Sequence, residues 1–166
     1  MQKSEREMKL RQFEDRDIEQ AREIWNEVVR DGVAFPQLEE LDTQNGLEFF
    51  HSQSFTGVCE EKGELLGLYI LHPNNVGRCG HICNASYAVA SSARGRGAGE
   101  ALVRHCLEKA KELGFRIIQF NAVVSSNTTA LRLYAKLGFT QLGAIPGGFL
   151  MKDGHYQDII IHYKKL

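Results

Sequence analysis

The chain of 166 residues has almost no net charge, with 20 Lys and Arg against 21 Asp and Glu, and no long basic run. It therefore lacks the footprint by which proteins neutralise duplex phosphates, and nucleic acid is not an expected partner. No apolar stretch is long enough to span a bilayer, and the opening Met1-Gln2-Lys3-Ser4-Glu5-Arg6-Glu7 has no hydrophobic signal core. A cytoplasmic protein without membrane contact is expected. Repeats and low-complexity segments are missing as well. A hydrophobic content of 43% supports a sizeable core, so one domain spanning 1–166 is the default.

Cysteine is scarce. Of Cys59, Cys79, Cys83 and Cys106, three fall inside expected core elements rather than in a loop-rich secreted scaffold, which favours reduced thiols. Cys79, His81 and Cys83 alternate as residues on one strand face do, and no second ligand pair accompanies them. No metal is expected.

What the chain does have is Arg94-Gly95-Arg96-Gly97-Ala98-Gly99, placed between an apolar strand-like run and an amphipathic helix. Leu102, Cys106, Ala110 and Leu113 give that helix, Ala98 to Leu113, its apolar stripe. Its first N–H groups have no internal partner, and the positive end of its dipole favours a phosphate or pyrophosphate. A dinucleotide fingerprint fails because Glu100 stands where the third glycine belongs. A nucleoside-triphosphate loop fails because no Lys followed by Ser or Thr comes after Gly99.

Other elements follow from pattern. A short strand near Leu10 to Phe13 precedes a helix, capped by Asp15, with Ile18, Ala21, Trp25 and Val28 on one face. An irregular stretch from Asp31 to Asn45, carrying Phe35-Pro36, leads to a short helix around Leu47 to His51. Strands Thr56 to Glu60, Leu65 to His72 and His81 to Val89 form a meander, with turns at Glu61-Lys62-Gly63 and Asn74-Asn75. A strand Arg116 to Val124, a helix Asn127 to Leu137, and closing strands near Phe139 to Leu142 and Gln157 to Tyr163 complete a mixed α/β order.

The spacing Arg94-x-x-Gly97-x-Gly99, followed by Asn127-x-x-Ala130-x-x-x-Tyr134-x-x-x-Gly138-Phe139, resembles the GCN5-related N-acetyltransferase (GNAT) family over His81 to Phe139. The resemblance implies an α/β GNAT fold: a mixed, mostly antiparallel sheet with a V-shaped splay, flanked by about four helices. It implies acetyl-CoA as cosubstrate, transferring its acetyl group to an amine. Tyr87, Ala88 and Val89 correspond to the strand edge that pairs with pantetheine; Arg94, Gly95, Arg96, Gly97, Ala98 and Gly99 to the pyrophosphate loop; Asn127 to a pantetheine contact and helix cap; Tyr134 to the general acid at the coenzyme sulfur. The strand His81 to Val89 lacks the glutamate some members use as base, leaving direct attack by an amine deprotonated through water, with His81 as the alternative base.

A weaker similarity, to the subgroup with fungal proline-analogue acetyltransferases, rests on the segments holding Asn84 and Asn121 and on Gly143 to Phe149. Asn84 and Asn121 are polar residues in apolar strands, which a ligand or a buried partner must satisfy; the resemblance implies that they orient a small amino acid's polar groups, with Phe35 helping to wall the cleft. Protein or peptide acetylation and a non-catalytic acyl-CoA sensor are the competing readings, and a homodimer is left open.

Overall fold

Residues 7–166 are described by a computed structural model. Helix α1 (Ile18–Asp31) buries Ile18, Ala21, Ile24, Trp25 and Val29 at three- and four-residue intervals. Val29 takes the inward place expected of Val28, continuing the four-residue step from Ala21 to Trp25, while Val28 is half-buried. The expected cap, Asp15, lies instead in a 3-10 turn, Asp15–Asp17. Asp17 turns inward, accepting the Glu14 N–H at 2.8 Å and the Arg11 guanidinium at 2.7 Å. Helix α2 (Thr43–Ser52) starts earlier than its apolar residues suggest, because Asp42 and Asn45 exchange side-chain to backbone hydrogen bonds at 2.7 and 2.8 Å.

Among the described residues seven strands form one sheet in the order β1-β2-β3-β4-β5-β7-β6. Strands β1 (Lys9–Gln12), β2 (Phe55–Glu61), β3 (Glu64–Pro73) and β4 (Ile82–Val89) make an antiparallel meander. The tight β2–β3 turn is possible because Lys62 and Gly63 both take positive φ, 52° and 81°. Helix α3 (Ala98–Glu112) crosses over to β5 (Ile117–Val124), which lies parallel to β4. Helix α4 (Thr128–Lys136) precedes the antiparallel pair β6 (Thr140–Leu150) and β7 (Tyr156–Lys165). Strand β6 runs eleven residues, well past the expected Leu142. Its Gly143 and Pro146 fall at register shifts against β7 on the sheet edge, where a missing N–H is tolerated.

The two sheet faces hold separate cores. Leu102, Val103, Cys106 and Ala110 of α3 pack with Ile118, Phe120 and Phe139 on one face. Trp25, Phe50, Val58, Leu68 and Ile70 pack on the other. The Trp25 and Phe35 rings meet at a tilt, 4.5 Å between centroids, which holds the loop after α1 near the sheet. Among the described residues no helix is long and apolar enough to cross a membrane. The polar start at 1–6 lies outside the described residues.

Arg11 of β1 pairs with Asp17 at 2.7 Å and with Glu60 of β2 at 3.1 Å. Burial acts to raise the Asp17 carboxyl, but hydrogen bonds from Arg11 and the Glu14 N–H outweigh it and hold it below its ordinary value. A depressed carboxylate stabilises above its unfolded pKa and loses that contribution as pH falls through the folded one. Arg11→Leu leaves Asp17 buried and unpaired, so chemical denaturation at pH 7 should show a loss of about 3 kcal/mol that shrinks towards pH 3.

Candidate active site

Strands β4 and β5 pair only at Ile82 with Ile117 and Cys83 with Ile118. Beyond those two pairs they part, forming the expected V. A register shift between Phe120 and Val123 turns β5 away at the same level. The gap encloses about 230 Å³. Into it converge Asn84 and Tyr87 of β4, Phe120 and Asn121 of β5, Asn127 and Tyr134 from α4 and its cap, and Phe35 from the loop after α1. Six residues singled out from sequence, Phe35, Asn84, Tyr87, Asn121, Asn127 and Tyr134, thus line one cleft.

Tyr134 rests on Phe120 at 4.6 Å and Phe139 at 5.3 Å, both buried, which fixes its ring. Burial, reinforced by the Cys106 thiol, pushes its phenol above the ordinary value, so it is protonated at neutral pH and is a hydrogen donor there. The Tyr87 hydroxyl is buried without a hydrogen-bond partner, and its ring meets Phe120 edge-on at 5.8 Å. Asn127 accepts the Ala130 N–H at 3.2 Å and caps α4, as its position suggests.

The β4 backbone has an alternating logic. Ala90 N–H bonds Leu66 of β3 at 2.8 Å, whereas Ala85 N–H bonds the Asn84 side chain at 2.7 Å. With a period of two, Tyr87 and Val89 turn their N–H and C=O into the V, and Ala88 turns its own towards Leu68 of β3. Of the expected edge Tyr87-Ala88-Val89, two residues therefore present free backbone.

Past the open end of the V lies the glycine loop. Gly95 and Gly97 have φ of 77° and 83°, with open space where a side chain would project. Gly97 is the N-cap of α3, and no side chain bonds the free N–H groups of the first turn. Ala98 is buried and contributes only backbone there. Gly99 has no special φ; a Cβ would sit 3.7 Å from Val89 Cγ2, which ties the loop to β4. Arg94 is exposed and 3.6 Å from Asp31, while Arg96 is ion-paired with Glu61. Glu100 does not face the loop's anion position, because it bridges Lys136 at 2.9 Å and Arg104 at 3.0 Å. Open donors, positive φ and a helix start suit a pyrophosphate; the splayed strand edge suits an amide-bearing arm.

Some expectations are corrected. Asn121 is exposed rather than buried, and it donates to Asn74 at 2.7 Å and accepts from Gln119 at 2.9 Å, so it needs no ligand. His81 is exposed at the foot of β4, away from the cleft, which removes it as a base. Cys79 is exposed in a 3-10 turn while Cys83 is fully buried, so they share no strand face. Among the described residues no group of three His, Cys, Asp or Glu side chains could hold a metal ion.

His162, which the sequence reading passes over, packs against the Tyr134 ring behind the cleft lining. It is 1% exposed, lies edge-on to Tyr134 at 5.6 Å, and has a buried Nε2 without a partner. Its Nδ1 sits 3.1 Å from the Ile160 carbonyl, and burial lowers its pKa, so the imidazole is neutral. The signal was a lone polar residue closing the apolar run Ile159-Ile160-Ile161.

Comparison with known proteins agrees with this geometry. N-acetyltransferase aca1 of Schizosaccharomyces pombe is 38% identical over 109 residues, 64% of this chain; the match spans about half of that relative, 52% of its length. A solved GCN5-related N-acetyltransferase from Kribbella flavida is 33% identical, superposes with a TM-score of 0.89, and is matched over 96% of this chain and 98% of its own. A GNAT superfamily phosphinothricin acetyltransferase from Sinorhizobium meliloti, solved in complex with AcCoA, shares the fold at 22% identity and a TM-score of 0.88, over 96% and 88% of the two chains. The model of the acetyltransferase (GNAT) family matches residues 14–139. With the splayed sheet, the glycine loop and the α4 tyrosine all in place, the chain belongs to the GNAT family.

Proposed function

We propose that the protein is an acetyl-CoA-dependent N-acetyltransferase acting on the amine of a small molecule, an amino acid or its analogue, by direct attack. The observation that carries this reading is the V between β4 and β5, with Tyr134 in the cleft and the open α3 N-terminus beyond its end. Gly95, Gly97, Ala98 and Gly99 offer backbone donors to the pyrophosphate, and Arg94 and Arg96 add charge once released from Asp31 and Glu61. Tyr87 and Val89 hold the pantetheine arm by backbone pairing, with Asn127 at its side. Acetyl-CoA supplies the activated acyl group.

The residues then divide the work. The Tyr87 backbone N–H polarises the acyl oxygen, leaving the Tyr87 C=O and the Val89 backbone to the arm. Tyr134 donates its hydroxyl proton where the thiolate departs. Phe35 closes the cleft over the acceptor and Asn84 offers it a neutral hydrogen-bonding group. The Asn84 Oδ1 is engaged by the Ala85 N–H, which presets the side chain on the cleft wall.

Release of free CoA from acetyl-CoA across amino acids, proline analogues, polyamines, aminoglycosides and lysine or N-terminal peptides tests the reading. A selective small-amine acceptor is the expected result. Turnover of peptides alone would move the assignment to protein acetylation, and acetyl-CoA binding without any acceptor would make the protein a sensor.

A further inference from the structure

The cleft is uncharged. Among its described lining residues none is Asp, Glu, Lys, Arg or His. Its polar side chains are Asn84, Ser86, Asn121, Asn127 and the hydroxyls of Tyr87 and Tyr134. Three of the four smaller ones are already engaged, Asn127 in capping α4, Asn121 with Asn74, and the Asn84 Oδ1 with the Ala85 N–H. An ammonium entering here leaves water with no carboxylate to replace it, and a carboxylate enters with no guanidinium or ammonium to meet it. The lining also offers no base to take a proton from an ammonium; the nearby imidazole, His162, packs edge-on against the Tyr134 ring, is 1% exposed and is not among the lining residues.

Resting on the acetyltransferase reading and narrowing its amino-acid-or-analogue class to the uncharged analogues, we infer that the acceptor is a weakly basic amine whose neighbouring group is neutral, such as an α-amine beside an amide, rather than a zwitterionic amino acid or a lysine-like amine. The amine enters having already lost its extra proton to solvent. Its lone pair forms the N–C bond as the C–S bond breaks; one N–H proton leaves to water, and the sulfur takes one from Tyr134, which solvent restores. At pH 7.5 an α-amine of pKa about 8 is roughly a quarter neutral, whereas a lysine-type amine of pKa about 10.4 is neutral in only about one molecule in 800. The cleft therefore selects on the acceptor's own ionisation by up to about 200-fold, offset in part by the greater nucleophilicity of the more basic amine.

The test compares kcat/KM with acetyl-CoA for alaninamide, alanine, N-acetyl-lysinamide and Ala-Ala-amide at pH 7.5, with acetyl-CoA binding measured separately by calorimetry. Alaninamide or Ala-Ala-amide should exceed both alanine and the lysine derivative at least tenfold, the better of the two identifying a free metabolite or a peptide end as the source. With alaninamide, kcat/KM should climb with pH and level off at that amine's own pKa. Asn84→Asp, which adds a carboxylate to the wall, should move the preference towards the lysine derivative. Equal or better use of alanine or the lysine derivative by the unaltered protein overturns the inference and leaves the acetyltransferase standing. Acetyl-CoA binding with none of the four acceptors used overturns it as well, and failure to bind acetyl-CoA removes both readings.

Discussion

Tyr134→Phe lowers kcat for acetyl transfer by about 10²-fold while acetyl-CoA binds with an unchanged Kd. The substitution removes one hydroxyl from a ring fixed by Phe120 and Phe139, so packing and cleft shape persist. What disappears is the proton donor proposed for the departing sulfur. Because burial keeps this phenol protonated through neutral pH, the loss should be uniform between pH 6 and 9 rather than confined to one limb. Single-turnover transfer, with calorimetric titration of acetyl-CoA, separates the two quantities. A kcat within twofold of the parent when chemistry limits turnover would remove Tyr134 from the reaction.

Gly97→Val should raise the Kd for acetyl-CoA by at least about tenfold and cost about 1–2 kcal/mol of stability. Space is not the obstacle, since nothing lies within 4 Å of the added Cβ. The obstacle is φ of 83°, which a β-branched residue resists, together with a side chain standing where an anion would approach the α3 amides. Gly99→Ala is the matched control. Its Cβ would meet Val89 at an ordinary 3.7 Å without a strained φ, so stability should hold while binding changes little. Equal affinities for the two variants would mean that the loop does not carry the pyrophosphate.

The cleft's composition was legible because its residues come from motifs with fixed spacing. Tyr134 and Asn127 sit on one short helix, and the Gly95-to-Gly99 loop is contiguous, so sequence separation translates directly into space. The meander was readable from two-residue alternation and from the Lys62-Gly63 turn. Legibility failed where tertiary partners decided. Asp17 displaced Asp15 because Arg11, from another element, rewards the inward carboxylate. Asn121 looked like a ligand contact because a strand interior suggests burial, but the β5 irregularity brings it out to Asn74. His162 was hidden by distance, since 28 positions separate it from the Tyr134 ring it touches.

The brevity of the β4–β5 pairing makes the sheet a lever. Its fulcrum is Ile82 and Cys83 against Ile117 and Ile118, held additionally by the Cys83 thiol donating to the Ile117 carbonyl at 3.4 Å. From Cys83 to Val89 the arm is about 20 Å long at ~3.3 Å per residue. A rotation of about 3° at the fulcrum moves the far end by about 1 Å, a displacement on the scale that costs about 10²-fold in rate when reacting groups are misplaced. Four apolar residues that line no part of the cleft thereby set its aperture, and their packing bears on the proposed transfer as directly as Tyr134 does.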